Sequence, residues 1–157
     1  MAFVVHGDVY VTSLDYKTTK RITNTPEQER NIDFSPDGRK IVYASERGGI
    51  WQIYEASIVN KDEKSFTYST EIKEEQLVNS GVTSQCPDYS PDGKKVAFLE
   101  NRGTLKVMDI ASKKTLTCMD GKYQYSYSDG DIWFEWSPDS RWLLSNYIGT
   151  GGWNTPD

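Results

Sequence analysis

Short apolar runs separated by tight polar turns dominate the chain. Ile41-Val42-Tyr43-Ala44, Val96-Ala97-Phe98-Leu99 and Trp142-Leu143-Leu144 are almost continuously apolar. A strand with one wet face alternates apolar and polar residues, whereas one covered on both faces reads as an unbroken run. These three segments are therefore expected to be strands buried on both sides. Each follows a matching turn, Ser35-Pro36-Asp37-Gly38, Ser90-Pro91-Asp92-Gly93 or Ser137-Pro138-Asp139-Ser140, and each turn is preceded by an aromatic, Phe34, Tyr89 or Trp136. Proline presets φ at the second turn position, aspartate bonds back to the turn backbone, and glycine tolerates positive φ. The unit reads as strand, tight turn, strand. Ser140 stands where the other copies have glycine, so that turn is expected to be strained or of another type.

A third strand follows a glycine-containing turn, at Trp51–Ala56 and Thr104–Asp109, with Val9–Leu14 as the same strand of an earlier copy. A weaker fourth strand is expected at Lys20–Thr23, Glu75–Val78 and Lys114–Thr117. The turn prolines lie 55 and then 47 residues apart, a period characteristic of solenoids and propellers. The longer first interval reflects a charged insertion over 60–75. Its segment Phe66-Thr67-Tyr68-Ser69-Thr70 favours an extended hairpin over a helix. Four short antiparallel strands per repeat describe a propeller blade. The fold class expected is therefore all-β, a partial β-propeller of about three four-stranded blades cut from a six- or seven-bladed ring. Residues 1–157 form one such segment, with blade strands near 2–23, 31–79, 86–118 and 131–148. The first group lacks an inner strand and the last holds only two strands, so apolar blade faces would be left open.

Composition narrows the function. The 157 residues carry 23 acidic and 18 basic side chains, for a net charge of -5, with 36% hydrophobic and 13% aromatic residues. An acidic chain lacks the basic surface that neutralises nucleic-acid phosphates. No window reaches the roughly 18 apolar residues of a membrane span. Met1-Ala2 runs directly into Phe3-Val4-Val5 without a charged-then-apolar leader, so the chain is read as cytosolic or as one whose leader has been removed. Two cysteines are too few for a disulfide scaffold. Cys86 precedes the first strand of the third blade and Cys118 ends its fourth. Three strand spacings of about 4.8 Å separate them, more than the about 7 Å a disulfide spans between Cα atoms, so no bond is expected. His6 is the sole histidine and sits in the turn Val5-His6-Gly7-Asp8. Phosphate-binding, zinc-protease and serine-hydrolase motifs are absent. No catalytic residue, cofactor or metal ligand is assigned.

Arg21-Ile22-Thr23, the run Asp33 to Gly49 and Trp51-Gln52-Ile53-Tyr54 resemble the repeat of TolB-type propellers. Thr19 to Arg30 and Asp120 to Asp131 resemble, more closely, the amino-terminal propeller of bacterial tricorn-like serine peptidases. The resemblance implies a non-catalytic segment that gates or binds peptide substrate, with a serine nucleophile and histidine in a separate peptidase region. The alternatives are a TolB-type protein-interaction propeller of the bacterial envelope and part of a carbohydrate-active propeller enzyme. The implied partners are the remainder of the parent chain and a peptide or protein, with self-association through open blade edges. The implied location is the periplasm or the exterior, with the cytoplasm as the alternative.

Blade topology sorts the loops. The Ser-Pro-Asp turns and the 60–75 insertion belong on one side. His6-Gly7, Arg47-Gly48-Gly49, Asn101-Arg102-Gly103, Pro26–Arg30 and Tyr123–Gly130 belong on the other. Loops on a rigid scaffold carry most function. Tyr123, Tyr125, Tyr127 and Trp133 are the candidate partner-binding residues, because flat amphipathic rings suit peptides and sugars. Core packing between blades is the competing role for them. Asp129 and Asp131 are read as solvated turn carboxylates, since an oxygen-ligated cation needs more ligands.

Overall fold

A computed structural model of the protein describes residues 1–123 and 132–146. Among these residues there are 13 strands and three short 3₁₀ turns, and no α-helix. The first sheet contains β1 (Ala2–Val5), β2 (Asp8–Thr12) and β3 (Thr19–Arg21). The second contains β4 (Glu29–Phe34), β5 (Lys40–Ser45), β6 (Gln52–Ile58) and β7 (Ile72–Gln76). The third contains β8 (Ser84–Tyr89), β9 (Lys95–Glu100), β10 (Thr104–Asp109) and β11 (Thr115–Met119), and the last β12 (Phe134–Trp136) and β13 (Leu143–Ser145). Every pairing is antiparallel between chain neighbours. The arrangement is a partial β-propeller of about three blades, its sheets stacked face to face.

The unbroken apolar strands divide their side chains between two cores. Ile41 and Tyr43 of β5 join Val9, Val11, Ile22 and Phe66 between the first and second sheets. Val42 and Ala44, one residue out of phase, join Tyr89, Val96, Phe98 and Met108 between the second and third. On β9, Val96 and Phe98 face that core, while Ala97 and Leu99 face Ile132, Phe134, Trp136 and Leu143 of the last sheet. Period-two alternation thus puts each half of a run into a different inter-sheet layer.

The three Ser-Pro-Asp turns are built alike. In each, the serine hydroxyl donates to the aspartate, Ser35 to Asp37 at 2.6 Å, Ser90 to Asp92 at 2.7 Å and Ser137 to Asp139 at 2.6 Å. The same carboxylates accept the backbone N–H of Arg39, Lys94 and Arg141. The serine hydroxyl and then that N–H hold Asp37, Asp92 and Asp139 below the ordinary carboxylate range. Ser140 adopts φ 58°, close to the 70° of Gly38 and 69° of Gly93, so the turn type is kept and the strain accepted. Its hydroxyl accepts the N–H of Asp92 at 2.9 Å, tying the last turn to its neighbour. Glycine lacks the group to make that bond.

Two expectations need correction. The inner strands β4 and β8 begin at Glu29 and Ser84, two residues ahead of the expected 31 and 86, so Cys86 lies inside β8. Each carries a β-bulge, with Asn31 and Cys86 both at φ 53°, and pairing resumes on the N-terminal side of the bulge. Cys86 and Cys118 stand on the two opposite edge strands of this sheet, the inner β8 and the outer β11, and no disulfide joins them. The insertion is not a hairpin: it contains the 3₁₀ turn Phe66–Tyr68. Phe66 is buried in the first inter-sheet core against Phe34, with ring centroids 6.2 Å apart. The Arg39 guanidinium donates to the carbonyls of Ile58, Asn60, Lys61 and Glu63, so the insertion folds onto the scaffold through tertiary contacts.

Candidate functional site

The turns opposite the Ser-Pro-Asp face are stitched to the links between sheets. Glu29 N–H donates to the Gly7 carbonyl at 2.7 Å, Glu46 N–H to Gln28 at 3.0 Å and Asn101 N–H to Thr83 at 2.9 Å. Beneath them Glu29 is buried and its carboxylate accepts Thr23 Oγ1 and Thr25 Oγ1 at 2.9 Å and Ser45 Oγ at 3.0 Å. The Arg47 guanidinium reaches that carboxylate at 3.5 Å and Glu74 at 2.6 Å, and lies 4.7 Å from the Tyr54 ring centroid. A buried carboxylate satisfied this fully is a structural tie, strongly destabilising to remove and unavailable to a ligand.

Between the second and third sheets the same face opens into a hollow of about 350 Å³ lined by Arg30, Trp51, Thr83, Gln85, Asn101 and Arg102. Arg30 and Gln85 hold the same place in successive repeats, Arg30 paired with Ala44 and Gln85 with Leu99, each just ahead of its bulge. Bulges re-aim side chains. The Arg30 guanidinium carbon sits 3.9 Å from the centroid of the Trp51 ring. Trp51 is fixed through its carbonyl, which accepts Ser84 N–H at 2.8 Å. Gln85 is only 5% exposed. Asn101 and Arg102 sit consecutively at φ 49° and 64° in the turn between β9 and β10. Planar cations, amides and an indole around one hollow are donors suited to a planar anionic or carbonyl group.

The inner strands present a second acidic feature. Asp33 on β4, Asp88 on β8 and Glu135 on β12 occupy the same repeat position, immediately before the aromatic of each turn. Asp33 Oδ2 accepts the N–H of Tyr89 at 2.9 Å. Burial, followed by the charge and hydrogen bond of Asp33 and the charge of Glu135, pushes Asp88 up to about 7. Nearby, Tyr89 donates to Glu55 at 2.6 Å; burial and that carboxylate push its hydroxyl up. No group of three or more His, Cys, Asp or Glu among the described residues is placed to hold a metal ion.

Of the four candidate aromatics, Trp133 is 51% exposed, leading into β12 with its N–H donated to Asn146 Oδ1 at 2.7 Å. Tyr123 ends the 3₁₀ turn Gly121–Tyr123, and Tyr125, Tyr127, Asp129 and Asp131 lie outside the described residues.

The TolB beta propeller domain family matches residues 4–144. The chain belongs to the TolB β-propeller family. A TolB from Agrobacterium tumefaciens aligns at 22% identity with a TM-score of 0.63, covering 90% of this chain and 50% of that one. An oligogalacturonate lyase from Vibrio parahaemolyticus aligns at 18% identity and TM-score 0.62, covering 93% of this chain and 37% of that one. Tricorn protease aligns at 12% identity and TM-score 0.52, covering 81% of this chain and 11% of that one. At such identities these likenesses show the fold. The chain spans half the length of the Agrobacterium TolB and less of the other two.

Within this TolB-type repeat, Pro26–Arg30 and Asn101–Gly103 lie on the face opposite the Ser-Pro-Asp turns, as blade topology predicts, though no local motif singles them out. A signal lies in the comparison between repeats. The β5–β6 turn places glycines, Gly48 and Gly49, at φ 81° and 84°, whereas the β9–β10 turn places Asn101 and Arg102 at positive φ. A bulky residue where glycine is the unstrained choice marks a position held for another reason.

Proposed function

We propose that the chain is a non-catalytic binding segment of a longer propeller protein, holding polypeptide on the face that carries Arg30, Trp51 and Arg102. The hollow between the second and third sheets supports this reading: guanidinium, indole and amide groups converge there from the bulged strands β4 and β8 and from the turns beside them. In a TolB-type interaction module, this face receives a partner protein in the bacterial envelope. In a tricorn-like peptidase, it guides peptide towards a catalytic region elsewhere in the protein. Both uses need a preorganised loop face.

Photo-crosslinking in the full-length protein tests the reading. A photoreactive residue replacing Arg102 is expected to capture polypeptide. The same residue replacing exposed Lys64, in the insertion on the opposite side, is not. Equal capture at both positions, or none at 102, contradicts it.

A further inference from the structure

We propose that β11, the outer strand of the third sheet, is a docking edge for a second copy of this chain, the two strands pairing antiparallel about a two-fold axis at Leu116. The outermost strands of the first three sheets differ in charge. β3 is Thr19-Lys20-Arg21 and β7 is Ile72-Lys73-Glu74-Glu75-Gln76. Their charges are engaged, Arg21 with Asp8 at 2.5 Å, Glu74 with Arg47 at 2.6 Å and Glu75 with Lys113 at 2.9 Å. Charged side chains on an edge strand oppose its pairing with another chain. β11 reads Thr115-Leu116-Thr117-Cys118-Met119, without a charge, and its first four residues are exposed.

The hairpin fixes which backbone groups this edge offers. Asp109 N–H donates to the Lys114 carbonyl at 2.9 Å, so those two residues form a hydrogen-bonded pair. Hydrogen-bonded and non-hydrogen-bonded pairs alternate along an antiparallel ladder. Met108 lies opposite Thr115, Val107 opposite Leu116 and Lys106 opposite Thr117. The N–H and C=O groups of Thr115 and Thr117 therefore point away from β10, at the end of the sheet. The register shift beyond Thr117 leaves Cys118 as the extra residue of a bulge, so the regular edge is Thr115–Thr117.

An axis at Leu116 uses that edge in full without crossing the bulge. Thr115 of each copy meets Thr117 of the other, and each such pair exchanges both N–H···O=C bonds. Leu116, 68% exposed, packs against its own counterpart, and threonine faces threonine, a favourable cross-strand combination. Charge agrees with the antiparallel sense. Lys114 precedes β11 and Asp120 follows it, so each copy brings its lysine to the aspartate end of the other. Asp120 also pairs with Lys122 at 3.2 Å, but that pair is exposed and weak. Further sheets stacked on the faces of a propeller leave this outer edge open.

Disulfide trapping in the full-length protein tests this. In a Cys118→Ser background, Leu116→Cys is expected to give an interchain-linked dimer under mild oxidation, because directly opposed residues of a non-hydrogen-bonded pair lie within disulfide reach. Lys73→Cys on β7, in the same background, is expected to give none. Sedimentation velocity reads the affinity. Thr117→Pro removes an N–H that β10 does not use and should weaken the dimer about tenfold while keeping the fold. Leu116→Lys supplies the missing edge charge and should weaken it at least as much. Linkage at position 116 no greater than at 73, or a dimer unchanged by both Thr117→Pro and Leu116→Lys, overturns the proposal. So does a full-length protein that is monomeric at all concentrations. Loss of the linked dimer on adding Trp142→Glu with Leu144→Glu assigns the contact to the last sheet's face and also overturns it.

Discussion

Strands β9 and β13 carry nearly the same message and meet opposite environments. Both follow a Ser-Pro-Asp turn and both read as apolar runs, Val96-Ala97-Phe98-Leu99 against Trp142-Leu143-Leu144. On β9, Phe98 is 1% exposed and Leu99 3%, each in a different inter-sheet core. Leu143 of β13 packs against the third sheet, while Trp142, just before the strand, and Leu144 are 68% and 65% exposed. The first sheet repeats the contrast: Ala2 and Val4 pack inward, while Val5 is exposed and Phe3 stacks on Tyr10 at 5.8 Å on the other face. A two-sided strand pattern therefore specifies a demand for neighbours, which the inner sheets satisfy and the outer sheets do not. Exposed contiguous apolar surface of this kind marks an interface.

Truncation should expose this difference most strongly. Phe98→Ala is expected to cost about 3–5 kcal/mol, because it opens a cavity in a closed core. Leu144→Ala, in the isolated 157-residue chain, should fall within about 0.5 kcal/mol of wild type, as for an exposed site. Chemical denaturation measures both, and an equal cost would break the comparison by showing that something covers β13.

The inner acids give a smaller, pH-dependent test. Asp88 is half-buried beside Asp33, whereas Glu135 holds the same repeat position exposed. With its folded value raised from 3.8 to about 7, Asp88 binds a proton in the native state that the unfolded chain has lost. Its contribution is present below pH 4, lost as pH rises to about 7, and flat above. Asp88→Asn should flatten the melting-temperature profile over that window and raise the midpoint at pH 8, while Glu135→Gln should leave most of the slope. An unchanged slope in Asp88→Asn would remove Asp88 as its source.

Much of the fold was legible because its signals are local. A proline, an aspartate and a glycine specify each turn within four residues, and runs such as Ile41–Ala44 announce burial on both faces. The insertion is harder to read because Phe66-Thr67-Tyr68 has strand composition, whereas burial of Phe66 against Phe34 and the Ser65 and Ser69 hydroxyl bonds to the turn backbone accompany a 3₁₀ turn there. The bulges at Asn31 and Cys86 left no turn signature, so the starts of β4 and β8 were placed late. The hollow was the least legible feature. Arg30, Trp51, Gln85 and Arg102 come from separate segments and converge only once two sheets stack. The tyrosines after Asp120, by contrast, form a cluster visible within one short stretch of sequence.

Sedimentation velocity on the isolated 157-residue chain tests the central claim most directly, that the bare faces of the outer sheets are blade interfaces. Concentration-dependent self-association is expected, weakened by Trp142→Glu combined with Leu144→Glu. A monodisperse monomer at all concentrations, with the double variant indistinguishable from it, would contradict that claim.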